Sequence, residues 1–117
     1  MGAYCGMRVE RELLRGSGSL AVLQLLARRE MYGYELVDAL GTIADGALSM
    51  GQSTLYPLLY NLEAKGLISS RVEEAESGRT RRYYSLTKAG RSELAAQRKQ
   101  WRSLAEAMRT LGILEST

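Results

Sequence analysis

Apolar residues recur at three- and four-residue intervals in several stretches of the chain, a pattern that predicts amphipathic helices. A first core helix is predicted from a cap at Ser19 to about Arg29, and a short helix over residues 7–14 precedes it. After a turn at Met31–Gly33, a second core helix is predicted to end near Gly41. The inner positions of the two core helices are Leu20, Leu23, Leu26, Ala27, Tyr34, Val37 and Leu40.

A third helix has a well-defined inner face, because leucines fall at positions i, i+3, i+4 and i+7: Leu55, Leu58, Leu59 and Leu62. Pro57 restricts where this helix begins, since proline lacks an amide hydrogen and is tolerated only near a helix start. We therefore expect a cap at Ser53 or Thr54, which places Pro57 at the fourth or third helical position. A plainer interpretation is that Pro57 only sets a helix boundary. Gly66 suits the C-terminal cap.

Two short segments, residues 67–72 and 82–86, flank a turn containing Gly78 and predict a β-hairpin, and a last helix is predicted from Thr87 to about Leu111. Three helices followed by a hairpin is the order of a winged helix-turn-helix. We predict a mainly α fold with a small β-hairpin, in which this unit precedes a long C-terminal dimerisation helix. The predicted divisions are an N-terminal arm, a winged DNA-binding domain, and the dimerisation helix with its tail, at residues 1–12, 13–86 and 87–117.

Composition narrows the functional classes. The 117 residues carry a net charge of +3, a modest basic excess that permits nucleic-acid binding without establishing it. The sequence has no histidine, no cluster of carboxylates on one face and no phosphate-binding glycine loop, so we expect no enzyme, no cofactor and no metal. The single cysteine, Cys5, is expected to be inert. Because no apolar run approaches membrane-spanning length and no secretory signal is apparent, a cytoplasmic location is expected.

The polar start of the third helix is predicted to face DNA, because recognition helices meet base edges with their N-terminal residues. Hydroxyl groups there suit phosphate oxygens, and Gln52 and Asn61 carry the donor and acceptor pair that matches adenine. Tyr56 and Tyr60 lie one turn apart, away from the leucines, although tyrosines at the margin of a core would have the same spacing. The predicted DNA-binding set on this helix is Gln52, Ser53, Thr54, Tyr56, Pro57, Tyr60, Asn61 and Lys65.

This helix carries no arginine, so most of the electrostatic affinity is expected from the hairpin, which forms the wing. From residue 79 to residue 91 the sequence has only basic charges: Arg79, Arg81, Arg82, Lys88 and Arg91. Gly78 permits the tight reversal, and we expect Arg79, Arg81 and Arg82 to reach phosphates or a narrow minor groove. A solvated charged face is the alternative, and the position of the run on a predicted wing favours DNA.

The last helix carries two apolar rows with heptad spacing, which are formed by Leu94, Trp101 and Met108 and by Leu104 and Leu111. A helix of roughly 25 residues exceeds what a domain of this size can cover, so its apolar stripe needs another chain, and a homodimer is expected. Trp101 either anchors the dimer interface or lines a cavity for a flat apolar ligand, and the sequence leaves both roles open.

An ordered series of motifs, followed by Trp101, resembles the PadR-like transcriptional regulators over residues 13–111: LRGS, YGYELV, STLYPLLYNLEAKGLISS and SGRTRRYYSLTKAGR. The resemblance implies a bacterial winged-helix repressor that dimerises through its C-terminal helix. It also implies membership of a short subfamily that includes multidrug-responsive regulators with a tryptophan-lined pocket at the dimer axis.

Matched by position, Ser53, Thr54, Tyr56 and Pro57 correspond to the start of the family's recognition helix. Gly78 and Arg79 correspond to the wing tip, and Trp101 corresponds to the dimer-axis tryptophan. Asn61 departs from the family, since many relatives have arginine at this position.

The resulting hypothesis is a homodimeric, sequence-specific transcriptional regulator, most simply a repressor of an operator with inverted-repeat symmetry, released by a small aromatic or apolar ligand at the dimer interface. The alternative is a winged-helix protein-interaction module without ligand response, in which a partner protein buries the tyrosine face.

Overall fold

The structure, a computed structural model, describes residues 11–115 and their side chains from Gly16 onward. The predictions for Cys5 and for residues 7–10 lie outside the described residues. The elements follow one another as α1 Arg11–Arg28, β1 Met31–Tyr32, α2 Gly33–Thr42, a 3-10 turn Ile43–Gly46, α3 Gln52–Ala64, β2 Ile68–Glu74, β3 Thr80–Leu86 and α4 Lys88–Leu111. The predicted order of three helices, a hairpin and a long helix is confirmed.

The core lies where α1, α2 and α3 meet the sheet. It is apolar, and its most deeply buried side chains are Val22, Leu23, Leu36, Leu40, Leu55, Leu59 and Ile68. Three of the leucines predicted for the inner face of α3 are buried, and Leu58 is half-buried beside them. In the described part of the chain, no helix is both long enough and apolar enough to cross a membrane.

The strands form one antiparallel sheet in the order β1, β3, β2. β2 and β3 are the predicted hairpin, and Ile68 pairs with Leu86 where it meets the core. The turn predicted at Met31–Gly33 is wrong, because Met31 and Tyr32 pair with Tyr84 and Tyr83 as strand β1. A strand of two residues has no periodicity of its own, so its presence depends on pairing with the edge of β3.

α1 is a single helix, so the cap predicted at Ser19 is wrong. The GSGS segment at residues 16–19 lies inside the helix, although glycine is a poor helix former. A Cβ atom on buried Gly18 would lie 3.2 Å from the Met50 side chain, so the small residue lets α1 pack closely against the segment before α3. The predicted border between residues 12 and 13 also falls inside α1.

α3 begins earlier than predicted. Gly51 is its N-cap, and the carbonyl of Gly51 accepts hydrogen bonds from the amides of Thr54 and Leu55. Pro57 is therefore the sixth helical residue, not the third or fourth. At that position it removes the hydrogen bond to the carbonyl of Ser53, and because Ser53 is exposed, solvent can satisfy that carbonyl.

α3 ends as predicted, at a glycine with positive φ. Gly66 has φ +75°, its amide donates to the carbonyl of Glu63, and the amide of Leu67 donates to the carbonyl of Leu62. This pair of bonds is a Schellman motif, in which a left-handed residue reverses the chain and satisfies the last carbonyls. The motif leads directly from α3 into β2.

The first two turns of α4 belong to the core of the winged unit. Thr87 is the N-cap, as predicted, and its hydroxyl accepts a hydrogen bond from the Gly90 amide. A Cβ atom on Gly90 would lie 2.0 Å from the carbonyl oxygen of Leu67, so only glycine allows this approach. Leu94 is 5% exposed and packs in the same core. The predicted border at residues 86 and 87 therefore does not separate two packing units.

Candidate nucleic-acid interface

A groove of about 510 Å³ lies between the N-terminus of α2, the first half of α3 and the outer part of β3. We call it the wing groove. Its walls are aromatic and basic, and they are formed by Tyr32, Gly33, Tyr34, Tyr56, Arg79, Thr80, Arg81, Arg82 and Tyr84. Basic side chains next to tyrosines provide charge for phosphates together with hydroxyl donors for phosphate oxygens.

The wing groove exists because β1 is much shorter than β3. β1 pairs only with Tyr83 and Tyr84, so Thr80–Arg82 has no strand neighbour on that side, and the chain turns away into α2 at Gly33. The edge of the wing is thus open toward α2 and α3. Burial raises the pKa of the Tyr84 hydroxyl at the base of the groove, so this group stays neutral.

Tyr56 reaches from α3 across to the start of α2. A Cβ atom on Gly33 would lie 2.7 Å from the Tyr56 hydroxyl oxygen, so the absence of a side chain at Gly33 gives the tyrosine its place. Tyr56 remains 42% exposed and Tyr60 is 74% exposed. Tyr60 therefore projects into solvent, whereas Tyr56 packs partly on buried Gly33, as the core-margin alternative allows.

The residues predicted on α3 do not all share one surface. Helical spacing places Gln52 and Tyr56 on the flank that faces the wing. Ser53, Pro57 and Tyr60 follow each other at four- and three-residue steps on the outer face, opposite the leucines. The opposite flank of the helix carries Thr54, Asn61 and, just beyond its end, Lys65. Since Lys65 lies roughly 20 Å along the helix axis from Gln52, the two residues cannot contact the same short segment of DNA.

The wing arginines have different surroundings. Arg79 follows the turn, where Gly78 has φ +83°, and within residues 11–115 its side chain has neither an ion pair nor a hydrogen bond. The guanidinium of Arg81 stacks on the Tyr32 ring, 4.7 Å from its centroid. Arg82 donates to the Ser70 hydroxyl oxygen at 3.0 Å. Lys88 and Arg91 lie farther along the chain in the first turn of α4, and both are exposed.

The outer face of the sheet carries a network that was not predicted from the sequence. Arg71 donates to both carboxylate oxygens of Glu30, pairs with Glu73, and stacks over the Tyr83 ring at 4.8 Å. The Tyr83 ring in turn meets the Tyr32 ring edge-on at 5.5 Å. The hydrogen bond from Arg71 holds the pKa of the Glu30 carboxyl below its usual value. This network leads to Tyr32, on which Arg81 rests.

The contribution of α2 to the wing groove was not predicted from the sequence. Tyr32, Gly33 and Tyr34 lie in the segment YGYELV, which was assigned to a turn and to the inner face of a helix. Tyr34 is instead 62% exposed. The available signal was a pair of tyrosines on either side of a glycine at a helix start. Periodicity alone did not predict which residues these tyrosines would contact.

A second groove, of about 530 Å³, lies between α1 and α4. It is lined by Gly16, Ser17, Ser19, Leu20, Glu93, Gln97, Gln100, Trp101 and Leu104. Among the residues predicted for a dimer interface, Trp101, Leu104 and Leu111 are exposed, and Met108 is half-buried. The prediction that Leu94 lies in the dimer interface is wrong, because Leu94 is buried against its own chain and presents no surface to a partner.

Comparisons with known proteins agree with the described fold. The family model for the transcriptional regulator PadR-like family matches residues 22–96, which include the whole wing groove. Over 95 residues the chain is 36% identical to Transcriptional regulator Rv3488 of Mycobacterium tuberculosis, covering 81% of this chain and 85% of that protein.

Solved structures resemble the chain along most of its length. A PadR family transcriptional regulator from Eggerthella lenta is 37% identical, with a TM-score of 0.74 over 91% of this chain and 88% of that one. A Streptococcus transcriptional regulator is 31% identical, with a TM-score of 0.75 over 88% of this chain and 99% of that one.

Proposed function

Since this chain belongs to the PadR-like family of transcriptional regulators, which bind DNA, we propose that it acts as a homodimeric repressor of an operator with inverted-repeat symmetry. The wing groove is the observation that carries this proposal. It brings the three wing arginines, Arg79, Arg81 and Arg82, together with exposed Tyr34 of α2 and exposed Tyr56 of α3. A transcriptional regulator must have access to chromosomal DNA, so the proposal includes a cytoplasmic location.

In the proposed complex, the outer face of α3 lies in the major groove and the wing lies along the backbone. Ser53 and Tyr60 face base edges, while Tyr56, Arg79 and Arg81 bind phosphates of the adjacent DNA strand. Guanine-directed bidentate contacts do not come from α3, which lacks arginine. Gln52 and Asn61, whose amides match adenine, lie beside this outer face on opposite flanks of the helix.

Dimerisation through α4 is supported by the exposed apolar residues in its second half. Trp101, Leu104 and Leu111 lie beyond the part of α4 that packs on its own core, and Ile113 and Leu114 continue the exposed apolar surface past the helix end. A second copy of the chain covers such a stripe economically. Two equivalent recognition helices can then read half-sites about one helical turn apart, roughly 34 Å.

Ligand-dependent release is the finer part of the proposal. The groove between α1 and α4 has room for a flat apolar molecule against Trp101, which is 43% exposed in a single chain. The competing role for Trp101 is an anchor buried by the partner subunit. Tryptophan fluorescence separates the two, because aromatic cations and phenolic compounds quench it at saturable concentrations only if the cavity persists in the dimer.

The DNA test is fluorescence anisotropy with a duplex from the region upstream of the protein's own gene, measured against scrambled DNA at about 150 mM salt. We expect tighter binding to the upstream duplex and, if each subunit neutralises roughly four phosphates, a log–log salt slope on the order of −7. Equal affinity for both duplexes contradicts sequence-specific regulation.

Replacing Arg79 and Arg81 with alanine should weaken binding to both duplexes and reduce the salt slope, because each removes a phosphate-directed charge. Lys99→Ala, which removes one exposed charge on α4, is the matched control and should leave the slope nearly unchanged.

A protein-interaction module is the second candidate, and the exposure of Tyr34 and Tyr60 is the observation that favours it. The triple replacement of Arg79, Arg81 and Arg82 with alanine separates the two functions. A docking module keeps its partner after this change, whereas a DNA-binding protein loses its salt-sensitive affinity.

A further inference from the structure

Arg81 and Arg82 are neighbours in β3 and point to opposite faces of the sheet, as alternate residues of a strand do. Arg81 is held by the Tyr32 ring, and within residues 11–115 it pairs with no carboxylate. Stacking leaves the edges of a guanidinium free to donate hydrogen bonds. Arg81 is therefore oriented but still available to an anion.

Arg82 is held in a different way, through a hydroxyl that belongs to β2. Its guanidinium donates to the Ser70 hydroxyl oxygen at 3.0 Å, and that hydroxyl donates to Glu63 Oε2 in the last turn of α3 at 2.6 Å. A serine hydroxyl can donate one hydrogen bond while it accepts another, so it can link a cation to a carboxylate. Both bonds are charge-assisted, because each has an ionised group at one end.

These contacts link α3 to both strands of the hairpin, which pair with each other along their full length. Glu63 lies on α3, Ser70 on β2 and Arg82 on β3. Beyond Ser70, residues 71–82 are exposed except for half-buried Ala75, so surface contacts hold the outer wing. Arg71 with Glu30 and Arg81 with Tyr32 act on the outer face of the sheet, and Arg82 with Ser70 acts on the face toward α3. The backbone connection from α3 to β2 is the short reversal at Gly66 and Leu67. A polar link near the middle of the wing therefore limits how far the hairpin can swing relative to α3.

We propose that Glu63 and Ser70 are positioning residues, which hold Arg82 and so fix the angle between the wing and α3 in the DNA-binding form. The proposal rests on the function proposed above. It assigns different roles to the adjacent arginines: Arg81 contacts the nucleic acid, and Arg82 holds the wing in position relative to α3. Fixing this angle before binding reduces the ordering cost of bringing two DNA-contacting elements into register.

The first experiment needs no DNA. Ser70→Ala removes both hydrogen bonds, Ser70→Thr keeps the hydroxyl, and Ser69→Ala is the matched control, since Ser69 is the preceding, exposed β2 residue on the opposite face. We expect amide hydrogen exchange in residues 71–82 to become faster in Ser70→Ala and Glu63→Gln, and to stay near wild type in Ser70→Thr and Ser69→Ala. Equal exchange in Ser70→Ala and Ser69→Ala overturns the proposal.

The second experiment measures DNA affinity against salt for the same variants, with the thermal midpoint recorded to confirm folding. Ser70→Ala and Glu63→Gln should weaken operator binding about three- to tenfold at unchanged salt slope, the factor expected for one ordinary hydrogen bond. Arg81→Ala should lower the slope by about 0.9 for each phosphate that the variant no longer neutralises. Arg82→Ala should behave like Ser70→Ala, and the double variant should be no worse than either single one.

A drop in slope for Arg82→Ala as large as that for Arg81→Ala assigns Arg82 to phosphate binding and overturns the division of roles. Absence of operator binding by every protein, wild type included, counts against the proposed function alone. In that case, the exchange measurement still decides whether the link fixes the wing.

Discussion

At the residue scale, the contact between Gly33 and Tyr56 determines the shape of the wing groove. The tyrosine hydroxyl occupies the space that a side chain at position 33 would need. Gly33 is the first residue of α2, so its requirement is for room and not for an unusual backbone conformation. A glycine that looks like an ordinary turn residue in the sequence is therefore a steric requirement for placing the Tyr56 side chain in the wing groove.

Gly33→Ala should displace the Tyr56 ring, since the new Cβ would lie 2.7 Å from its hydroxyl oxygen. We expect a loss of roughly 1–3 kcal/mol in the free energy of unfolding, typical of an overpacked contact, and weaker operator binding. Chemical denaturation and anisotropy measure the two effects.

The control is Gly41→Ala, in the last turn of the same helix, where no atom lies within 4 Å of a new Cβ. That variant should be stabilised by about 0.5–1 kcal/mol, because alanine is the better helix former. Loss of stability in both variants to the same extent would refute the steric explanation.

At the element scale, periodicity identified the faces of the helices better than their ends. The leucines of α3 face the core as their spacing predicts, and Thr87 caps α4 as predicted. Helix starts depend on where the first intrahelical bonds form, and in α3 the Gly51 carbonyl accepts them from Thr54 and Leu55 while no side chain caps the helix. Glycine is a weaker cap signal than the hydroxyls of Ser53 and Thr54, which is why the sequence favoured a later start and an earlier helical position for Pro57.

Thr87 joins the wing to α4 and should matter more than an ordinary surface threonine. Its hydroxyl accepts from the Gly90 amide at 3.0 Å and donates to the Gly66 carbonyl at 2.7 Å. Thr87→Ala should lower the free energy of unfolding by about 1 kcal/mol, the usual cost of a lost N-cap. Thr87→Ser should recover most of it, and exposed Thr110→Ala should change stability by less than about 0.5 kcal/mol.

The ion pair between Glu30 and Arg71 links the segment before β1 to β2 across the sheet. Because of this pair, part of the free energy of unfolding depends on pH. Arg71 lowers the pKa of Glu30 in the folded state, so this contribution is fully present above the unfolded value of 4.5 and is lost as pH falls through the lower folded value. Glu30→Gln should therefore reduce stability at neutral pH and flatten its decline below pH 4.5.

Urea denaturation between neutral and acidic pH measures this dependence. Glu74→Gln is the control, because the Glu74 side chain has no ion pair or hydrogen bond among the described residues. An identical acid dependence in the wild type and in Glu30→Gln contradicts the assignment.

At the scale of the whole molecule, α4 has two parts with different roles. Its first two turns pack on the core through Gly90 and Leu94, and its second half leaves Trp101, Leu104 and Leu111 exposed. The heptad spacing is continuous across both parts, so the sequence alone assigned Leu94 to the same interface as Trp101. Only the packing of α4 against its own chain distinguishes the residue that completes the core from those available to a partner.

Leu104→Glu tests the proposed dimer. A carboxylate on the exposed apolar stripe should shift the protein from dimer to monomer, because burying an unpaired charge costs more than the interface gains there. Sedimentation velocity measures the shift, and operator affinity should fall with it. Thr110→Glu, on an exposed position of the same helix, should remain dimeric. A wild-type chain that sediments as a monomer over a wide concentration range would contradict homodimerisation itself.

The sequence by itself determined the order of the elements, the inner faces of the helices, the hairpin and the positive charge that follows its turn, because each depends on local spacing and residue type. The tertiary structure decided what had no local signal: the two-residue strand β1, the continuous α1, the start of α3 and the inward role of Leu94. It also brought Tyr32, Tyr56 and Arg81 to one groove and linked Glu63 to Arg82 through Ser70. These contacts join residues from separate elements, and their geometry follows from how the elements pack, which spacing along the chain does not specify.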